Sequence, residues 1–389
     1  MATISYAAHR TEIAARTQRI PWYLWCVTVA VTSVTIGAHW DVSWHRSIGR
    51  DTFWTPAHMA IYACGILAGI ACGYLIFATT VLRKPRLVAS SVGIFGLRAP
   101  LGAFLAAWGG LAMLTSAPFD NWWHNAYGLD VKIISPPHVV LMIGIWAICL
   151  GSLILALSVM NRADESQRRR LQWMVLYIGS MMLVLNMFFR MEYVWDIYLH
   201  SSGAYIAMAL GVPLYLAMIW RASRARFACT ITSAIYMLFI IGLVLILPLF
   251  PASPKLGPVF HQVTQFIPPK FPIVLIVPAL ALDLLWNRIR NWRIPFIALV
   301  SGPAFILTLV TVQWPFASFL LSDGARNRFF GSIYFDYNAP STSPDILRIF
   351  WHPEHGWTLW SGLLLAMLYA TVCVFLGLKL GGWMREVKR

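Results

Sequence analysis

Residues 38–59 read AHWDVSWHRSIGRDTFWTPAHM and lie between two long apolar runs. Asp41 and His45 are four apart, so on a helix they occupy the same face one turn from each other. Arg50-Asp51-Thr52 turns the chain, and Pro56 suits the first turn of a new helix. The returning helix brings His58 toward the first pair. One carboxylate and two imidazoles converging from two helix ends make a three-ligand set for a transition metal, with positions left open for exogenous ligands. The plainer reading is a hydrogen-bonded cluster at the membrane interface that caps the two helices. Ionisable groups near membrane depth need a partner, and a metal is one.

The pattern returns at residues 120–138, DNWWHNAYGLDVKIISPPH. Asp120 and His124 are again four apart, Asp130 stands where Asp51 stood, and Pro136-Pro137-His138 echoes Pro56-Ala57-His58. The second spacing is one residue longer. A fainter third copy gives Asp196 and His200 without a following Pro-x-His, and reads as a vestigial or structural pair. Recurrence of one chemical pattern at matching helix ends argues for an internal repeat.

Working outward, the chain is 59% hydrophobic and only 12% charged, with a mean hydropathy of +0.67. Soluble domains carry about 25% charged residues, so the expectation is an all-α integral membrane protein. About ten spans are expected, paired in five hairpins that open toward the outer face, with both termini cytoplasmic. The eighth span is placed at Pro272–Trp286, the sixth at about Ser201–Trp220, and Gly93–Gly102 is read as irregular. The net charge of +15 does not indicate nucleic acid. Most of the 30 Lys and Arg fall on one side once the helices are placed, which is positive-inside asymmetry. That orientation puts the chain in the inner (cytoplasmic) membrane as a multi-pass protein, with the metal sites on the periplasmic or outer face. The six cysteines, none in a C-x-x-C, read as small buried hydrophobes.

The remaining outer-face residues have less specific readings. His39 reads as a hydrogen-bonded neighbour of the first triad rather than a ligand. Asp51 and Asp130 read as helix caps, or as groups orienting the ligands. Arg190 and Glu192 suit an interfacial salt bridge. His261, His352 and His355 lie in outer loops. Asp283, inside an apolar run, is either functional or engaged in a buried hydrogen bond to a neighbouring helix.

The embedded pattern SWHxxxxRDTxxTPxH, carried by Ser43, Trp44, His45, Arg50, Asp51, Thr52, Thr55, Pro56 and His58 after Asp41, resembles the C subunit of the copper membrane monooxygenases. This is the family of particulate methane and ammonia monooxygenases. Its second site, Asn-x3-His-x13-His, is similar to Asp120, His124 and His138 here, with Asp in place of Asn. A weaker likeness to the A subunit runs through FIPPKFPIVLIVPALALDLLW (266–286), VQWPFASFLL (312–321) and STSPDILR (341–348). The resemblance divides the chain into a C-subunit-like region, 1–226, and a second membrane region, 227–389. It departs from the family at His39, where Glu is usual, in its greater length, and in having no cupredoxin-like region.

What the resemblance implies is a copper-dependent oxidoreductase that inserts oxygen from O2 into a small apolar or ammonia-like substrate. Asp41, His45, His58, Asp120, His124 and His138 would be metal ligands, and the second triad would be catalytic. Copper comes from the likeness, since carboxylate and imidazole suit iron or zinc equally. Implied partners are the bilayer, a separate cupredoxin-like B subunit, other membrane subunits in an oligomer, and a quinol reductant. The competing function is metal handling, meaning transport or storage of copper or zinc without redox turnover.

Overall fold

Pro21 and Pro56 open the first two long helices, and each helix runs on while its sequence stays apolar. The computed structural model describes residues 19–49, 53–128, 135–194, 200–254, 263–330 and 353–389, with only the backbone described at 192–194. Helices make up 77% of it. In chain order they are α1 (Trp22–Ser47), α2 (Pro56–Thr80), α3 (Leu101–Tyr127), α4 (Pro136–Met160), α5 (Glu165–Val194), α6 (Ser202–Ala209), α7 (Val212–Ser223), α8 (Ala228–Ile246), α9 (Ile276–Ile289), α10 (Ile294–Leu320) and α11 (Gly356–Met384).

Among the described residues nine helical stretches are long and apolar enough to cross a membrane, with α6 and α7 together forming one of them. The chain is therefore a multi-pass, all-α membrane protein. Large apolar side chains such as Ile66, Phe77, Leu111 and Leu368 point outward and are more than half exposed, as side chains facing lipid would be.

Three stretches differ from the sequence reading. The eighth expected span is a 14-residue helix, α9. At 1.5 Å per residue it covers only about 21 Å, short of a bilayer core of about 30 Å. Pro268, Pro269 and Pro272 keep the chain before it non-helical. The sixth span is broken at Leu210-Gly211, where Gly211 has φ +133°, a value that strains any residue with a Cβ. Residues 92–99 form a small antiparallel hairpin, β1 (Val92–Ile94) with β2 (Leu97–Ala99). Phe95 and Gly96 both have positive φ, as a two-residue turn of the primed type requires.

The described chain separates into two compact units. One comprises residues 1–34, 62–178 and 386–389; the other comprises 35–61 and 179–385.

In the first unit α3 and α4 touch backbone to backbone. A methyl added at Gly109 would lie 2.5 Å from the carbonyl oxygen of Gly144, and one added at Gly144 would lie 2.8 Å from that of Gly109. Bare backbone lets carbonyls approach this closely. Asp164 starts α5, accepting hydrogen bonds from the Gln167 amide and the Ser166 hydroxyl at 2.9 and 2.8 Å. Those donors hold its carboxyl below the usual carboxylate range.

In the second unit the guanidinium of Arg190 spans the break between α6 and α7. It donates to the carbonyls of Ala207 and Leu210, which the break leaves without helical partners, and its Nε donates to Asn186 at 2.8 Å. The side chain of Glu192, its expected partner, lies outside the described residues. Asp283 resolves to the hydrogen-bonding alternative. Its Oδ1 accepts from the Cys229 amide at 3.2 Å, and its Oδ2 accepts from both the amide and the hydroxyl of Thr230 at 2.7 Å. These are orphan donors at the start of α8, so the carboxylate caps a helix from its neighbour. All six cysteines are free and at least partly buried.

Candidate metal centres

Each unit contains one of the two triads, and each triad is built the same way. Asp41 and His45 sit in the last turns of α1, and His58 sits in the first turn of α2. Asp120 and His124 sit in the last turns of α3, and His138 in the first turn of α4.

The second helix of each pair is started by a hydroxyl three residues before the histidine. The His58 amide donates to Thr55 Oγ1 and the His138 amide donates to Ser135 Oγ, both at 3.4 Å. A proline follows each capping residue, at Pro56 and Pro136, where a missing N–H costs nothing. The cap and the proline fix where the helix begins, and so fix which way the third residue in points. This is the role the sequence reading gave to Asp51 and Asp130, both of which lie outside the described residues. Thr55-Pro-x-His and Ser135-Pro-x-His were the available signal for it.

The resulting geometry matches atom for atom. His45 Nε2 lies 3.8 Å from Asp41 Oδ2, and His58 Nε2 lies 3.2 Å from Asp41 Oδ1. His124 Nε2 lies 3.3 Å from Asp120 Oδ2, and His138 Nε2 lies 3.5 Å from Asp120 Oδ1. In both triads the carboxylate presents one oxygen to the imidazole on its own helix and the other to the imidazole on the next helix. Five of the six side chains are between 21% and 33% exposed, and His45 is 48% exposed. The groups are thus reachable from water but largely sheltered by protein.

Two observations bear on whether a metal fits. Among the described residues no group of three or more His, Cys, Asp or Glu is placed so that it could hold a metal ion. Yet Oδ1 of Asp41 and Oδ1 of Asp120 are buried and accept no hydrogen bond, although an imidazole nitrogen lies within 3.5 Å of each. Nitrogen and oxygen at that distance without hydrogen-bond alignment are not satisfying one another. Bonds of about 2.0–2.2 Å to a tetrahedral ion place neighbouring ligand atoms about 3.3–3.6 Å apart; the second triad, at 3.3 and 3.5 Å, lies within that range, and the first, at 3.2 and 3.8 Å, brackets it. Carboxylate and imidazole are donors that suit a divalent ion, and the same oxygen is orphaned in both copies.

Among the described residues, His39 and His200 do not join these clusters. His39 is 5% exposed; its Nδ1 meets the Thr35 carbonyl at 2.8 Å, and its ring packs edge-on against Phe188 and Phe239. His200 Nε2 pairs with Ser318 Oγ at 3.0 Å and its ring stands against Trp314. Burial lowers its pKa from the ordinary 6.5. Its sequence partner Asp196 lies outside the described residues, as do His261 and His352. His355 is the residue preceding α11. Around the second triad Phe119, Trp122, Trp123 and Tyr127 form one aromatic cluster, with Trp123 and Tyr127 centroids 4.5 Å apart.

No family model, no curated protein and no solved structure matches the chain.

Proposed function

We propose that the chain is a metal-dependent membrane oxidoreductase, holding one transition-metal ion at each triad and oxidising a small apolar or ammonia-like substrate with O2. The observation that supports this reading is the repeated triad, in which each carboxylate faces two imidazoles and leaves the same buried oxygen, the one toward the next helix, without a hydrogen bond. The resemblance of the motif to copper membrane monooxygenases makes copper the metal of choice, with iron and zinc as alternatives. When bound, the metal would supply the O2 chemistry. In the net reaction one oxygen atom enters the substrate and the other leaves as water, with two electrons and two protons drawn from a reductant of the quinol class.

The chain's own residues have simpler tasks. At each triad the carboxylate, Asp41 or Asp120, would offset the charge of its ion, and the two imidazoles would hold it, His45 with His58 and His124 with His138. Thr55 and Ser135 hold His58 and His138 at the helix starts that aim them inward. In this reading both termini are cytoplasmic, the triads lie at the outer rim of the inner membrane, and a separate cupredoxin-like subunit and further membrane subunits complete the enzyme.

The test is incorporation of label from ¹⁸O2 into small alkanes or ammonia by copper-loaded membranes, with Asp120→Ala as the control. Label in wild type and none in the variant supports the proposal. Copper bound at both triads with no label and no O2 uptake would favour metal handling.

A further inference from the structure

The chain joining α2 to α3 is both basic and apolar. Residues 53–119 contain Arg83, Lys84, Arg86 and Arg98 but no Asp or Glu. The same connection exposes large apolar side chains: Val81, Leu82, Phe95 and Leu97 are 62%, 51%, 88% and 44% exposed. It belongs to the first unit, at the other end of α3 from Asp120 and His124, and none of its residues belongs to either triad.

The β1–β2 hairpin within it has two faces, because side chains alternate along a strand. By the observed register Val92, Ile94, Leu97 and Ala99 share one face, and Gly93 and Arg98 share the other. The Thr80 hydroxyl, at the end of α2, accepts from the Arg98 amide at 2.8 Å and donates to the Arg98 carbonyl at 3.0 Å. The hairpin is thereby fixed to the helix end. At its tip Phe95 has φ +48°, a conformation that suits Gly or Asn better than a bulky side chain. Phe95 is also the most exposed large apolar residue among those described. A strained residue presented in this way points to a function.

The tip lies against a membrane-crossing helix. The rings of Phe95 and Trp108 are 6.3 Å apart, centroid to centroid. Trp108 is 58% exposed and stands seven residues into α3, about 10 Å along the helix. A ring beside it is at the depth of the membrane interface, where aromatic side chains settle. Lys84 Nζ donates to the Tyr74 hydroxyl at 2.9 Å. Arg83, Arg86 and Arg98 are exposed and form no ion pair with a described residue. We propose that the hairpin is a lipid-binding wedge. Phe95 enters the leaflet at this end of the helices beside Trp108, and Arg83, Arg86 and Arg98 gather the phosphate heads of anionic phospholipids around it.

The test places the photoreactive analogue p-benzoylphenylalanine at position 95 of the full chain, in nanodiscs where phosphatidylglycerol is the minor lipid and phosphatidylcholine the major one. Irradiation followed by mass analysis identifies what is captured. Lipid adducts are expected, with phosphatidylglycerol about threefold or more over its share of the disc at low salt, and less as salt is raised. The same analogue at Leu111, which is exposed on α3 deeper in the span, should capture the two lipids in proportion. Arg83→Gln, Arg86→Gln and Arg98→Gln together should return capture at position 95 to the disc ratio, and the three Lys replacements should keep the excess. If the Gln variant does not fold, loss of the excess in high salt reads the same charge dependence in the otherwise unsubstituted chain. Capture in proportion at low salt, an excess that neither salt nor a folded Gln variant removes, or no lipid adduct overturns the proposal. Capture of a protein in place of lipid in cell membranes also overturns it, and marks the hairpin as a subunit contact.

Discussion

His58 Nε2 lies 3.2 Å from Asp41 Oδ1, although the two residues belong to successive helices and the nitrogen is not aligned to donate to that oxygen. The same pairing recurs between His138 and Asp120 at 3.5 Å. A close approach without a hydrogen bond, made twice with the same atoms, is what a shared third partner would produce. The helix starts that aim the two histidines are therefore the first place to probe.

Thr55→Ala and Ser135→Ala each remove the side-chain acceptor of a histidine amide. Each should cost about 1 kcal/mol of stability, read as a lower midpoint in thermal unfolding of the detergent-solubilised protein. Thr55→Ser should recover most of the loss. Metal affinity should fall in the alanine variants at the affected triad alone.

Gly109→Leu places a branched side chain where even a methyl would meet the Gly144 carbonyl at 2.5 Å. Rigid backbone cannot give way as a side chain can, so the cost should reach or exceed the about 1–3 kcal/mol typical of overpacking. The measurement is the yield of folded protein together with its unfolding midpoint. Gly242→Leu is the matched control, since nothing lies within 4 Å of a methyl added there.

Asp283→Ala strips an acceptor from two amides and a hydroxyl at the start of α8. Leaving buried donors unpaired costs about 1–3 kcal/mol each, so this variant should be among the least stable in the chain. Asp283→Asn retains one acceptor oxygen and should lie between the two. Thermal unfolding of the three proteins gives the order directly.

These features were unequally legible in the sequence. The long apolar runs announced the helices, and Asp-x3-His before a Pro-x-His announced both triads, because helix periodicity and a proline at a helix start are local properties. The break at Leu210-Gly211 had a signal, Gly211 two residues before Pro213, but the run is apolar throughout and hydropathy does not see a break that Arg190 heals from another helix. The shortness of α9 had a local signal in Pro268, Pro269 and Pro272, but the hold of Ser43 and Ser47 on Ile267 is a contact across more than two hundred residues of chain and had none. Asp283 could not be assigned from sequence because its three donors come from residues 229 and 230.

His200 gives a pH dependence with a definite sign. Burial lowers its pKa below the ordinary 6.5, so between those two values the unfolded chain binds a proton that the folded chain does not. Stability is then fully present above pH 6.5, falls as pH drops toward the folded value, and levels off below it. His200→Gln should flatten the part of the acid-side slope that wild type shows in this window. Unfolding midpoints of both proteins across that range are the check.

Metal content per chain tests the central claim most directly, measured by elemental analysis of copper-, iron- and zinc-exposed protein after removal of loosely bound ions. Wild type should retain two ions per chain, His45→Ala and His124→Ala one each, and the double variant none. Equal metal in all four proteins, or none in any, would contradict it.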